Sequence, residues 1–323
     1  MTSDYERFPV GRGEIALGDC LTVLRSLPEG AATLAVTSPP YHNAINYEQH
    51  TQTLAGEKER WERIEIQYDE YRQFLMERFK ELLRVVAPGG YNVVNIAPVS
   101  WQGRRVPLPF HFVGWMEELG WVFREDIVWE KTVARDRRSG VLLQHPYPGY
   151  YYPSLVAEYV FVFQRPGERR DRNNIYWHRS GADRAANEID MSDYQGEKSK
   201  NVWRFRPVAP QENIHPCPYP LELVERVVEF YSYKGDLVVD MFAGSGQTNV
   251  AAERLGRRHL GIDIMREYAD YAVGRVEDVI RDADSETVET EPTTARSRAA
   301  TDTVPDEADS ETVAREQSTR TTS

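Results

Sequence analysis

The stretch LVVDMFAGSGQTNVAAERLGRRHLGIDI, residues 237–264, decides the fold. Residues 237–240 predict a buried strand ending in Asp240, and Gly244 and Gly246 predict a tight turn. Residues 247–255 predict a helix, and residues 258–262 a second strand running into Asp263, 19 positions beyond Gly244. Strand, glycine turn, helix and acid-ended strand is the layout of a nucleotide site, in which glycines let the backbone approach the ligand and the terminal carboxylate accepts ribose hydroxyls. A dinucleotide would set its pyrophosphate on the helix N-terminus and would favour a third glycine, where this chain has Asn249. An acid beside the turn, Asp240, suits a cationic sulfonium or ammonium instead. The residues therefore favour S-adenosylmethionine, with contacts expected from Asp240, Phe242, Ala243, Gly244, Gly246 and Asp263.

Outward from this segment, strand and helix signals alternate. Residues 33–37 form an apolar run ending at Pro39-Pro40, which predicts a buried strand emptying into a loop. Apolar residues at helical spacing from Tyr68 to Val86 predict a helix that Pro88-Gly89-Gly90 stops, with a strand at 91–96. Helix 110–119, strands 121–129 and 158–163, and helices 220–232 and 266–281 complete a doubly wound, mostly parallel Rossmann-like α/β sheet. Two polar, aromatic-spotted insertions, 132–154 and 166–202, are longer than ordinary connections in such sheets, and long connections tend to carry function.

Composition narrows the function classes. No run of about 18 apolar residues occurs, and the N-terminus lacks a basic region followed by an apolar one, so neither a membrane span nor a signal peptide is expected and a cytoplasmic location is. Two cysteines, Cys20 and Cys217, make no disulfide framework and no zinc cluster, so metal-free chemistry is expected. The formal charge of −12 is unevenly spread: the tail from 282 to 323, with 11 acids against 4 arginines, carries −7, and residues 1–281 carry only −5. Residues 131–184 hold 10 basic against 5 acidic residues, a local surface able to neutralise phosphates. The tail has no aromatic residue and repeats DSETV at 284–288 and 309–313; it is expected to stay disordered, leaving residues 1–281 as the folded domain.

The catalytic candidate is Thr37-Ser38-Pro39-Pro40-Tyr41, directly after a predicted buried strand. Through these residues the chain resembles the DNA amino-methyltransferase family, whose pattern is Asp, Asn or Ser, then Pro-Pro, then an aromatic residue. An exocyclic amine is a poor nucleophile because its lone pair is delocalised into the ring. If the Ser38 hydroxyl and the Pro39 carbonyl each accept one of its N–H groups, the lone pair is drawn toward the donor methyl, and direct in-line transfer follows largely from positioning. Pro40 biases Pro39 toward extended geometry, and Tyr41 can stack on the base. A base inside a duplex cannot reach such a site, so flipping is implied. The resemblance implies cytosine N4 as the target, since the Ser form is typical of those enzymes, with adenine N6 as the alternative and a catalytically inactive DNA-binding relative as a third reading.

The resemblance extends over residues 14–281. Gly18-Asp19-Cys20-Leu21 is similar to the family segment whose acid, here Asp19, lies near the cofactor adenine. His215-Pro216 with the helix after it resembles the segment that packs on the methionine part. Catalytic motif first and cofactor turn about 200 residues later is the order of the permuted group; glutamine-directed protein methyltransferases, which share Asn-Pro-Pro-Tyr, use the opposite order. Pro216-Cys217 and Glu212-Asn213-Ile214 superficially suggest cytosine-C5 chemistry, but that needs the thiolate and acid on separate loops, so Cys217 is expected to be a buried packing residue. Sequence reading of duplex DNA is expected from the insertions, through Arg135, Arg137 and Arg138, and through Arg169 and Arg170, because guanidinium groups suit both phosphates and guanine edges. A cognate restriction endonuclease is the further partner that the resemblance implies.

Overall fold

The computed structural model describes residues 5–40, 68–101, 104–132, 146–149, 155–167, 179–190, 192, 196–209, 212–215 and 217–289. The elements run β1 (Glu6–Val10), β2 (Gly13–Leu17), α1 (Cys20–Ser26), β3 (Ala32–Thr37), α2 (Tyr68–Val85), β4 (Val86–Ile96), β5 (Val99–Trp101), β6 (Arg104–Val106), α3 (Leu108–Glu118), β7 (Val122–Lys131), β8 (Ala157–Gln164), α4 (Gly181–Ala186), β9 (Val202–Phe205), α5 (Leu221–Tyr231), β10 (Leu237–Asp240), α6 (Gln247–Arg254), β11 (Arg258–Asp263) and α7 (Arg266–Glu289).

Nine strands form one sheet in the order β1-β2-β11-β10-β3-β4-β8-β7-β9, and β5-β6 is a separate hairpin. β1 is antiparallel to β2, and β8 is antiparallel to both β4 and β7; the other neighbours are parallel. The expected doubly wound, mostly parallel architecture is thus present. Strand periodicity assigns the layers. On β3, Leu34 and Val36 join the core cluster beneath α5 and α6, whereas Ala35 joins the one beneath α1, α2 and α3. On β8, Val160 and Val162 face the first of these and Phe161 and Phe163 the second. Both faces are covered, so β3 reads as a near-continuous apolar run rather than an alternating one. α2 sends Tyr71, Leu75, Phe79, Leu82 and Val85 into the core, the spacing of one helical face.

Two expectations are corrected. Pro88-Gly89-Gly90 does not separate helix from strand: β4 begins at Val86, directly after α2, and pairs there with Ala32. The glycines instead carry an irregular strand start against β3, whose register shifts between Ala32 and Leu34. Gly89 has φ +81°, and a Cβ on Gly90 would lie 2.7 Å from the Thr33 carbonyl oxygen. At the other end, α7 continues to Glu289 rather than stopping at 281, with residues 281–285 exposed, so burial does not hold that turn. The rest of the acidic tail lies outside the described residues. Among the described residues no helix is long and apolar enough to cross a membrane.

Candidate active site

Ligands of doubly wound sheets bind at the carboxyl ends of the strands, where the winding changes direction. Here that point lies between β10 and β3: the chain leaves β10 through α6 toward β11, and leaves β3 through α2 toward β4 on the other side. The two strands pair in parallel, Val238 opposite Leu34 and Val239 opposite Ala35, so the glycine turn and Ser38-Pro39-Pro40 emerge side by side although about 200 residues separate them. Tyr41 lies outside the described residues.

The two loops are bracketed together by Asp240, which is fully buried. Its Oδ1 accepts the Thr37 hydroxyl at 2.7 Å and the Phe242 amide at 3.1 Å, and its Oδ2 accepts the Tyr219 and Thr248 hydroxyls at 2.7 Å each. Burial raises the Asp240 carboxyl above its ordinary value, an effect the four donors oppose. Sequence reasoning places this acid beside a cationic ligand; in the structure its hydrogen bonds are internal, and it joins β3, the glycine turn, α6 and the loop before α5.

Asp263 ends β11 and is partly exposed. Its Oδ2 accepts the Gly244 amide and its Oδ1 the Met265 amide, both at 2.8 Å, while its own carbonyl accepts the Gly18 amide at 2.8 Å. Burial pushes its carboxyl up to about 6, against the lowering effect of the Met265, Gly244 and Ile264 amides. Gly244 (φ +50°) and Gly246 (φ +76°) adopt the left-handed backbone that glycine tolerates. A Cβ on Gly244 would stand 3.0 Å from His215 Cδ2, so the imidazole lies against the turn, its ring 5.1 Å from that of Tyr268 on α7. Ala243 donates its amide to the Ile262 carbonyl at 2.9 Å. Pro216 lies outside the described residues. Asn249, at the third-glycine position, is fully buried, and the close approach of helix and strand is allowed from the opposite side by Gly261, whose missing Cβ would collide with the Asn249 amide.

Asp19 caps α1, its Oδ1 accepting the Leu21 and Thr22 amides at 3.0 and 3.2 Å, while its Oδ2 pairs with Arg78 at 2.6 Å. α2 contributes more to this region than its core periodicity suggests. Tyr71 donates its hydroxyl to the Pro40 carbonyl at 2.9 Å, Phe74 stacks on Phe242 at 6.2 Å, and the Arg78 guanidinium lies 3.7 Å over Phe74. Residues 71, 74 and 78 share one helix face, so α2 steadies the Pro-Pro loop, the glycine turn and Asp19 together. Tyr219, Thr248 and Arg78 escaped sequence reasoning because their partners are remote and their residue types common.

The donors and acceptors fit S-adenosylmethionine. Carboxylates stand at the end of β11 and beside it at Asp19, the turn opens space by lacking side chains, and an imidazole borders it. Among the described residues no group of three or more His, Cys, Asp or Glu could hold a metal. Cys217 corrects an expectation: it is exposed, in the loop before α5, whereas Cys20 is buried.

The insertions differ in position. Residues 132–154 leave β7 at Lys131 and rejoin β8 at Ala157, both at the carboxyl edge, and the Lys131 amide closes the neck on the Val156 carbonyl at 2.7 Å. Arg135, Arg137 and Arg138 lie outside the described residues. Residues 166–202 leave β8 at Gln164, at the opposite edge. There Arg179 holds both oxygens of Asp236, just before β10, at 2.5 and 2.6 Å, and Asn187 accepts the Lys234 amide at 2.7 Å. The chain then returns alongside β7 as β9, so the described part of this insertion braces the far edge of the sheet rather than widening the site. The part of this insertion expected to read DNA, with Arg169 and Arg170, lies outside the described residues.

The glycine turn and the Ser-Pro-Pro loop thus share one switch point of a two-sided α/β sheet, the place where such folds bind their ligands. A family model described as DNA methylase, for N6 and N4 enzymes, matches residues 32–274, and the chain belongs to that family. Among curated relatives, the type II methyltransferase M.ScaI of Streptomyces caespitosus is 27% identical over 269 residues, 80% of each chain. The type II beta methyltransferase M.BslI of Bacillus sp. (strain NEB-606) is 25% identical over 285 residues, 82% of this chain, which spans only 28% of that protein's length. TTHA0409 of Thermus thermophilus, crystallised in complex with S-adenosyl-L-methionine, superposes with a TM-score of 0.62 at 27% identity, covering 82% of this chain and 93% of that one. The cytosine-N4-specific PvuII DNA methyltransferase shares the fold, with a TM-score of 0.61 at 18% identity over 88% of this chain and 98% of that one.

Proposed function

We propose that this protein transfers a methyl group from S-adenosylmethionine to the exocyclic N4 amine of cytosine in duplex DNA. The observation that carries this reading is the parallel pairing of β3 with β10, which opens the Ser-Pro-Pro loop and the glycine turn on one edge. S-adenosylmethionine supplies an activated methyl carbon. Asp263 receives the ribose hydroxyls, Asp19 borders the adenine, and His215 with Pro216 bounds the methionine side, around Phe242, Ala243, Gly244 and Gly246. The Ser38 hydroxyl and the Pro39 carbonyl accept hydrogen bonds from the two N–H groups of the flipped base's amine and turn its lone pair toward the methyl carbon, so that the N–C bond forms as the S–C bond breaks and one amine proton then leaves to solvent, while Pro40 stiffens the loop and Tyr41 stacks on the base. Arg135, Arg137 and Arg138, on the insertion rooted at the carboxyl edge, contact the duplex. The type II names of the relatives support a restriction partner in the same system.

Ser38 favours cytosine N4 over adenine N6. Digestion of DNA from a host expressing the protein, followed by mass spectrometry of the nucleosides, is expected to show N4-methylcytosine. N6-methyladenine as the sole product would transfer the same mechanism to adenine, and no modified base would reject methylation outright.

Asp263 makes cofactor binding pH-dependent. Its carboxyl titrates at about 6, raised by burial. Ribose hydroxyls donate to the charged form, so below that pH binding must first expel a proton. Affinity is therefore expected to be level above about 6 and to fall by up to about tenfold per unit below it. Isothermal calorimetry between about pH 5 and 8 checks this, with Asp263→Asn expected to bind more weakly at the upper end and to lose the slope. An unchanged slope in that variant would assign the titration to another group.

A further inference from the structure

Asp240 is used by neither step of that mechanism, yet its carboxylate is the best-connected polar group at the switch point. Of the hydrogen bonds it accepts, three come from the cofactor half of the molecule: the Phe242 amide in the glycine turn, Thr248 on α6, and Tyr219 in the loop before α5. The fourth, from Thr37 at 2.7 Å, crosses to the catalytic strand one residue before Ser38. Thr248 adds a weaker contact to the same strand, 3.5 Å from the Val36 carbonyl oxygen. Thr37, Asp240 and Thr248 are all at most 1% exposed, so water does not substitute for a lost partner there. On the far side of the loop, Tyr71 holds the Pro40 carbonyl, which leaves Ser38 and Pro39 suspended between two fixed points.

Resting on the methyl-transfer reading, we propose that Thr37 is a positioning residue whose hydroxyl, donated to Asp240, couples occupancy of the glycine turn to the geometry of the Ser38-Pro39 loop. Filling the turn immobilises Phe242 and Gly244, the Asp240 carboxylate is held with them, and Thr37 carries that constraint to the next residue, Ser38. Neither loop is ordered independently of the other, and coupling of this kind is reciprocal.

Hydrogen exchange on the full chain, followed in the peptide covering residues 34–41 with and without S-adenosylhomocysteine, tests this without requiring turnover. In the wild type the ligand is expected to slow exchange of that peptide by about fivefold or more. In Thr37→Val, which keeps the shape and removes the donor, the ligand is expected to bind within about threefold of wild-type affinity but to leave that peptide's exchange unchanged. Turnover in Thr37→Val is expected to fall about 10- to 100-fold with KM for the methyl donor little altered, and Thr37→Ser is expected to restore both readouts. A merely structural hydroxyl would lower thermal stability without this split. Should Thr37→Val fail to fold, Thr37→Cys, a weaker donor, takes its place, and protection is expected to be kept in Ser and to fall in Cys. Equal ligand-induced protection in wild type and Val (or Cys) would overturn the coupling alone. Failure of the wild type to bind S-adenosylhomocysteine would overturn the methyl-donor reading, and the coupling with it.

Discussion

Replacing Ser38 by alanine is expected to lower methyl-transfer turnover by about 10²- to 10³-fold while the affinity for S-adenosylmethionine stays within about twofold, because one acceptor that organises the reacting amine is lost and the cofactor turn is untouched. The side chain is partly exposed just after β3, and among the described residues deleting its oxygen strands no buried donor, so the fold should hold. Single-turnover assays with labelled methyl donor, beside calorimetric titration of the same variant, separate chemistry from binding. Wild-type turnover in Ser38→Ala would remove the serine from the mechanism and with it the argument for cytosine.

The largest expected effect on stability is at Gly246. With φ +76° it starts α6, and a Cβ there would lie 2.6 Å from the Ala272 Cβ and 3.1 Å from its Cα, on α7. Gly246→Val combines left-handed strain in a β-branched residue with overlap against another helix, about 3–5 kcal/mol in all. For a domain of this size that corresponds to a fall of about 10 °C in Tm. The same variant should lose cofactor affinity, since the turn cannot move away from α7 without leaving Asp263. Gly274 is the control: it also lies in α7, but nothing stands within 4 Å of its missing Cβ, and Gly274→Ala is expected to stabilise by about 0.5–1 kcal/mol. Scanning calorimetry of the two variants checks the contrast, and equal melting temperatures would refute the packing argument.

The glycine turn and the Ser-Pro-Pro loop are legible in the sequence because each is a short-range signal: a strand, then residues whose backbone freedom or rigidity has one use. Their meeting is legible only as a requirement, since pairing of β3 with β10 depends on contacts across some 200 residues. Asp240 shows the limit well. Its type and place near the turn are readable, but Thr37, Tyr219 and Thr248 become its partners only through folding, and these turn an expected ligand-facing charge into an internal clasp. Pro88-Gly89-Gly90 misleads because the same residues that end helices also start irregular strands, and the choice is made by the neighbouring β3 and by Arg165, whose amide donates to the Gly90 carbonyl at 2.9 Å. The short strands β1 and β2 and the cap of α1 carry too few apolar positions for a period to show. Residue type alone puts Cys217 inside, and the loop before α5 holds it outside.

The neck at Lys131 and Val156 has an evolutionary corollary. Because that hydrogen bond and the pairing of Glu130 with Ala157 close the ladder before residues 132–154 begin, the excursion can lengthen, shorten or change its side chains without shifting β7 against β8. If, as proposed, that excursion reads the duplex, its reading is mechanically insulated from methyl transfer, and a lineage built on this scaffold is free to acquire new target sites while its transfer machinery stands still.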